Sequence, residues 1–133
     1  MNTTELSSAT AKQPTANVTL EIYSGRPDPT WSLDDVAFRG LGERLAALKM
    51  PAPDTPGFDG LGYRGLRILI TGEEALATVT VSRGVVTVER GAERSRFVDT
   101  GRELEMWLVK GGEKTLTPTL FKQVIANISA ASR

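Results

Sequence analysis

Leu66-Arg67-Ile68-Leu69-Ile70-Thr71, Ala75-Leu76-Ala77-Thr78-Val79-Thr80-Val81-Ser82 and Val85-Val86-Thr87-Val88-Glu89-Arg90 follow one another with only Gly72-Glu73-Glu74 and Arg83-Gly84 between them. In the first run Leu66, Ile68 and Ile70 alternate with Arg67, Leu69 and Thr71. In the second, Ala75, Ala77, Val79 and Val81 alternate with Leu76, Thr78, Thr80 and Ser82. A period of two sends successive side chains to opposite faces of an extended chain, which predicts strands. The connections are too short for a crossover, so the strands are antiparallel neighbours, and Arg83-Gly84 is a two-residue hairpin loop. Gly91 to Glu93 makes another turn. Arg94 to Val98 then adds an edge strand whose charges oppose edge-to-edge association.

Working outward, Asn17 to Tyr23 shows the same alternation, with Val18, Leu20 and Ile22 on one face and Thr19, Glu21 and Tyr23 on the other. Ser32 is a suitable N-cap, followed by Asp34 and Asp35 where a helix dipole favours negative charge. Leu33, Val36, Ala37, Leu41, Leu45 and Leu48 recur near helical spacing, predicting a helix from about Leu33 to Lys49. Gly40 and Gly42 weaken its middle by about 1 kcal/mol each relative to alanine. They are either simply tolerated or mark the close approach of another element or a ligand. Downstream, Thr100 caps a short helix carrying Leu104, Trp107 and Leu108 on one face, which ends at Gly111-Gly112. Thr117-Pro118 starts a last helix with Phe121, Val124, Ile125 and Ile128 on one stripe. The expected fold is α+β: one domain over residues 17–133, an antiparallel sheet of four to five strands, and three helices on one face. Residues 1–16 are too poor in apolar groups to offset ordering entropy and are expected to form a disordered tail.

Composition narrows the chemistry. The 133 residues include 16 basic and 16 acidic ones, no histidine and no cysteine. Zero net charge argues against a dedicated nucleic-acid binder, whose affinity comes largely from phosphate neutralisation. Lack of cysteine excludes disulfides, thiolate metal sites and cysteine nucleophiles. Lack of histidine removes the commonest general base and transition-metal ligand. No cofactor and no metal site are expected. No apolar run suits a signal or a membrane span, so a cytoplasmic location without membrane partners is expected. Homo-oligomerisation stays open.

Chemistry concentrates in three places. Tyr23-Ser24-Gly25-Arg26-Pro27-Asp28-Pro29-Thr30-Trp31 gathers a phenol, a guanidinium, a carboxylate and an indole in a turn stiffened by two prolines. Arg26 offers a fork for carboxylate or phosphate, and Trp31 offers a stacking face. Alternatively Arg26 and Asp28 pair with each other or with backbone while Trp31 fills the core. The long Met50 to Gly65 connection adds Asp59, Tyr63 and Arg64, as a closing loop or as a plain surface loop pinned by Phe58 and Tyr63. Arg94, Arg96, Asp99, Arg102, Glu103 and Glu105 mix both signs, which suits a solvated, salt-bridged surface better than an anion-binding edge. Catalytic candidates are Asp28, Asp59, Asp99 and Tyr63. Ligand-binding candidates are Tyr23, Arg26, Asp28, Trp31, Tyr63 and Arg64.

Ser24-Gly25-Arg26-Pro27-Asp28-Pro29-Thr30-Trp31, Gly60-Leu61-Gly62-Tyr63-Arg64-Gly65, and Asp99 with Arg102-Glu103-Leu104-Glu105 and Trp107-Leu108 resemble a group of small bacterial proteins. The resemblance spans most of the chain outside the tail and implies that the three segments act together. It implies no activity, cofactor or catalytic residue. Two functions follow from the residues: a small module that binds an anionic ligand or a protein partner through arginine, tryptophan and tyrosine, or a cofactor-free lyase, isomerase or cyclase using carboxylate and tyrosine.

Overall fold

The computed structural model describes residues 14–23, 25–52, 63–72 and 76–131. Six strands form one antiparallel sheet: β1 (Thr15–Glu21), β2 (Thr30–Ser32), β3 (Gly65–Thr71), β4 (Leu76–Ser82), β5 (Val85–Arg90) and β6 (Glu93–Val98). Their spatial order is β2-β1-β3-β4-β5-β6. Three helices accompany them, α1 (Asp35–Ala47), α2 (Glu103–Gly111) and α3 (Pro118–Ala131), with a 3-10 turn over Thr100–Arg102 leading into α2. The architecture is α+β in a single domain, with one strand more than the upper expected number.

The extra strand is β2. Three residues are too few to display a period, and they lie behind the two prolines of the opening turn. The turn is therefore the loop of a hairpin, with Val18 paired to Trp31 and Leu20 N–H donating to Pro29 C=O at 2.9 Å. This corrects the helix start as well. Ser32 is still in the sheet, its hydroxyl 2.6 Å from Asn17 Oδ1, and Asp34 caps α1 by accepting from Ala37 N–H at 2.8 Å. At the other end of the hairpin, β1 begins at Thr15, two residues ahead of the alternating run, and Ala16 is fully buried. Residues 15 and 16 thus belong to the sheet, while residues 1–13 lie outside the described part.

The meander forms as the alternation predicts. Arg83 and Gly84 turn β4 into β5 with φ of +54° and +83°, the doubly left-handed geometry that matches strand twist in a two-residue hairpin. Register then sorts the side chains. One row across the sheet reads Trp31, Val18, Ile68, Val79 and Val88, and the neighbouring row on the same face reads Leu20, Leu66, Val81 and Val86. Leu104, Leu108 and Val109 of α2 and Leu120, Val124 and Ile128 of α3 complete this core. Each such side chain contributes about 1.5–3 kcal/mol by leaving water.

The opposite face is mostly polar, with Leu69 and Leu76 exposed on it. Thr30, Thr19, Arg67, Thr80, Thr87 and Arg96 form one row across it. Its groups bond among themselves: Thr15 to Thr71 at 2.9 Å, Thr19 to Thr30 at 3.1 Å, and Arg94 to Glu89 at 2.7 Å. The β6 edge is blunted by the chain leaving α1, because Val98 N–H donates to Met50 C=O and Ala52 N–H to Arg96 C=O.

Two glycines give a direct test of this packing. A Cβ at Gly112 would stand 2.5 Å from Trp31 Cζ2, whereas one at Gly42 would meet nothing within 4 Å. Gly112→Ala is expected to destabilise by about 1–3 kcal/mol through overpacking. Gly42→Ala, exposed inside α1, is expected to stabilise by up to about 1 kcal/mol. Urea unfolding midpoints should move in opposite directions, and a downward shift for both would refute the account of Gly42.

Candidate functional site

Three groups of side chains carry chemistry, and they differ in how much of it is already engaged. The first forms where β6 ends. Asp99 N–H donates to Gly84 C=O at 2.8 Å, and the backbone then turns through Gly101 and Arg102 with φ of +66° and +55°. Left-handed backbone at a residue with a side chain is costly, so something must hold Arg102 there. Its guanidinium does: Nε donates to Glu105 Oε1 and Nη2 to Glu105 Oε2, each at 2.8 Å. Tyr63 adds its hydroxyl to Glu105 Oε2 at 2.5 Å. Glu105 is fully buried and Arg102 nearly so. Asp99 stands in for a helix cap, accepting from Leu104 N–H at 2.9 Å and Glu105 N–H at 3.0 Å.

This corrects two expectations. Asp99, rather than Thr100, caps α2, and Arg102, Glu105 and Asp99 lie inside the protein instead of on a solvated surface; Arg94 and Glu89 remain outside. Electrostatics follow from burial. Burial and the adjacent Glu105 carboxylate push the Tyr63 phenol well above its ordinary range. Burial also raises Asp99, against the lowering effect of the two N–H groups it accepts. Hydrogen bonding to Glu105 raises Arg102 further, so it stays charged. Both oxygens of each carboxylate are engaged, and the cluster ties Tyr63, the end of β6 and the start of α2 into one unit.

The second group is the opening turn. Asp28 Oδ1 accepts from Ile22 N–H at 3.1 Å and Tyr23 N–H at 2.7 Å, which locks the loop behind β1. The Arg26 guanidinium lies over the Tyr23 ring, 3.8 Å from its centre. Arg64 N–H reaches Glu21 C=O at 2.8 Å, and its Nη2 reaches Tyr23 C=O at 3.3 Å. Tyr23, Arg26, Asp28 and Arg64 therefore come together, and the far end of the long loop does meet the turn. Tyr63 is beside them in the chain, but its hydroxyl is committed to Glu105. Trp31 goes elsewhere, to the core against Gly112, and its indole N–H finds no acceptor among the described residues. Asp59 lies outside the described residues.

The third group is a cleft between α1 and α2. It has a volume of about 680 Å3 and opens to solvent. That volume is in the range of small-molecule sites. Leu33, Ala37 and Leu108 supply apolar wall, and Trp107 is half-buried at its side. The Arg44 guanidinium covers the indole at 4.2 Å from the ring centre, with Nη1 3.3 Å from Gly40 C=O. Arg39 and Lys110 add positive charge at the margin, opposed by Glu43, while Asp34 is engaged as the α1 cap. Gly40 is the reason the two helices come this close: a Cβ there would stand 3.1 Å from Trp107 Cζ2. The glycine in mid-helix marks a close approach. Periodicity assigns Trp107 to the core with Leu104 and Leu108; it packs against that core half-buried, and its remaining side lines the cleft between α1 and α2.

Among the described residues no helix is long and apolar enough to cross a membrane, and no group of three or more acidic residues is placed to hold a metal ion. No protein-family model, curated protein or solved structure matches the chain.

The buried cluster makes its own predictions. Glu105→Gln leaves Arg102 as an uncompensated buried charge and is expected to cost about 3–5 kcal/mol. Tyr63→Phe removes one bond to a charged acceptor, about 1.5–3 kcal/mol. Alkaline pH should act through the same phenol. Below pH 10, native and unfolded chains both keep the Tyr63 proton, and stability from the bond is fully present. Above it the unfolded chain releases a proton that the native chain retains, so stability falls by up to about 1.4 kcal/mol per pH unit. Denaturant unfolding between pH 9 and 11 should show this extra slope in the wild type and not in Tyr63→Phe.

Proposed function

We propose that the protein is a small binding module for an anionic ligand, and that the cleft between α1 and α2 is where the ligand sits. The observation that carries this reading is Arg44 stacked on a half-buried Trp107 at the side of an open cleft of about 680 Å3. Arginine and tryptophan are recognition residues: one presents a planar fork of donors, the other a broad apolar face with low conformational entropy. Arg44 is exposed and takes no part in the core, and Trp107 packs against the core while staying half-buried at the cleft. This reading keeps the arginine and tryptophan chemistry expected from the sequence but assigns it to Arg44 and Trp107.

A cofactor-free lyase, isomerase or cyclase gains less support. Such an enzyme needs a carboxylate or phenol free to move a proton. Asp99 and Glu105 have both oxygens occupied, Tyr63 is bonded to Glu105, and Asp28 holds two backbone N–H groups. The turn around Tyr23, Arg26 and Arg64 is the next place for an anion, with Arg26 exposed and Tyr23 and Arg64 half-buried beside it.

An amide NMR titration of the full chain with small carboxylates and phosphates tests the assignment. Shifts are expected at Leu33, Gly40, Lys110 and Gly111, with Arg44→Met weakening the response roughly tenfold, as removal of a charged hydrogen-bond donor does. Shifts confined to Tyr23, Arg26 and Arg64 would move the site to the turn. No response at millimolar concentration would overturn the module reading.

A further inference from the structure

The contact that Arg44 makes at the side of the cleft bears on what the cleft takes. Arg44 is exposed on α1, and two contacts define its position: the stack on Trp107 and a 3.3 Å bond to Gly40 C=O, the latter at the long end for N–H to O. A cation over an aromatic face is weak at an exposed position. The guanidinium is planar, and it occupies the ring face as a flat aromatic group would. We infer that Arg44 is a displaceable cover, and that the ligand is a planar aromatic carboxylate whose ring takes its place on Trp107 while the carboxylate pairs with the departing guanidinium.

Geometry favours this class over a simple anion or an aliphatic acid. Gly40 brings the α1 backbone to within van der Waals reach of the Trp107 edge, which leaves the ring face, rather than the edge, for a ligand. Leu33, Ala37 and Leu108 form an apolar wall that an inorganic anion would not use. Arg44 stays tethered to the same helix turn, so a short swing keeps it within reach of a group at the ring margin. A carboxylate matches its two parallel N–H donors, and the pairing replaces the cation–π contact that is lost. Aromatic stacking and charge pairing thus come from two residues that already touch.

The inference rests on the cleft reading above, and the test separates the two. The full chain is titrated with 2-naphthoate, with 2-naphthamide, and with the saturated decalin-2-carboxylate, and the Trp107 indole N–H resonance is followed. The Trp31 resonance, from a ring packed against Gly112, serves as an internal reference. Expected is a selective Trp107 shift, with 2-naphthoate binding roughly tenfold tighter than either analogue. Arg44→Met should lower 2-naphthoate to the level of 2-naphthamide and leave 2-naphthamide unchanged or tighter, because the cover is gone. Arg44 is exposed, so the variant keeps the fold. Equal binding of decalin-2-carboxylate and 2-naphthoate would overturn the aromatic class while keeping the cleft as an anion site. Equal weakening of both naphthyl probes by Arg44→Met would overturn the displaceable cover. If none of the three moves Trp107, both the inference and the cleft assignment fall.

Discussion

The buried pair of Arg102 and Glu105 is the constraint on which the helical layer depends. Taking two charges out of water costs several kcal/mol per ion, recovered only by close geometry and full hydrogen bonding. Here the fork is bidentate, and Tyr63 supplies a third donor. To reach Glu105, Arg102 accepts a left-handed backbone immediately before α2. Such a pair adds little net stability compared with apolar residues of equal volume. Its effect is positional: α2 can start only where Asp99, Arg102 and Glu105 all find their partners, and that fixes α2 against the β4–β5 hairpin and the end of β6.

Helix phase carries the constraint to the cleft. At 3.6 residues per turn, successive side chains are about 100° apart. Leu104, Glu105, Leu108 and Val109 then share one arc of α2, and all four are buried. Trp107 falls beyond the edge of that arc, on the side where α1 crosses. Had α2 been rotated to bury Trp107, Glu105 would leave Arg102 unpaired inside the protein. The tryptophan is half-exposed because the glutamate is not.

Sequence made the sheet legible where a strand was long enough to show two faces. β3, β4 and β5 alternate over six or seven residues, and Arg83-Gly84 sits where only a tight hairpin fits. β2 did not show itself because three residues behind Pro27 and Pro29 have no period, and Ser32 and Asp34 are equally good caps on paper. Only pairing with Asn17 assigns Ser32 to the sheet. Likewise Thr100 and Asp99 are both capping residues, and the intervening left-handed turn decides between them. The charge mixture from Arg94 to Glu105 reads as surface because interspersed signs usually are. A glutamate in the apolar phase of a short helix was the available sign that part of it goes inside. Tyr23, Arg26, Asp28 and Arg64 meet because the stiff turn and the start of β3 flank the same end of β1. The cleft was out of reach for a different reason: it needs Gly40 and Arg44 from one helix and Trp107 from another, more than sixty residues apart.

Division of labour among the polar groups follows from that geometry. Among the described residues, Asp28 holds backbone behind β1, Asp34 at α1 and Asp99 at α2, while Glu105 is bound by the Arg102 and Tyr63 side chains. On the open sheet face, threonines and arginine–glutamate pairs bond to one another and present little unmet demand. The contact between Arg44 and Trp107 is different in kind. It joins an exposed side chain to a half-buried one, lies at the mouth of a concavity, and can be exchanged without disturbing a strand, a cap or a buried charge. A chain without histidine or cysteine has few ways to do chemistry on a ligand but needs neither residue to recognise one. For the proposed recognition, the physical requirement is a rigid frame around a replaceable contact, and the Arg102–Glu105 pair would supply that frame by fixing the start of α2, the helix that carries Trp107.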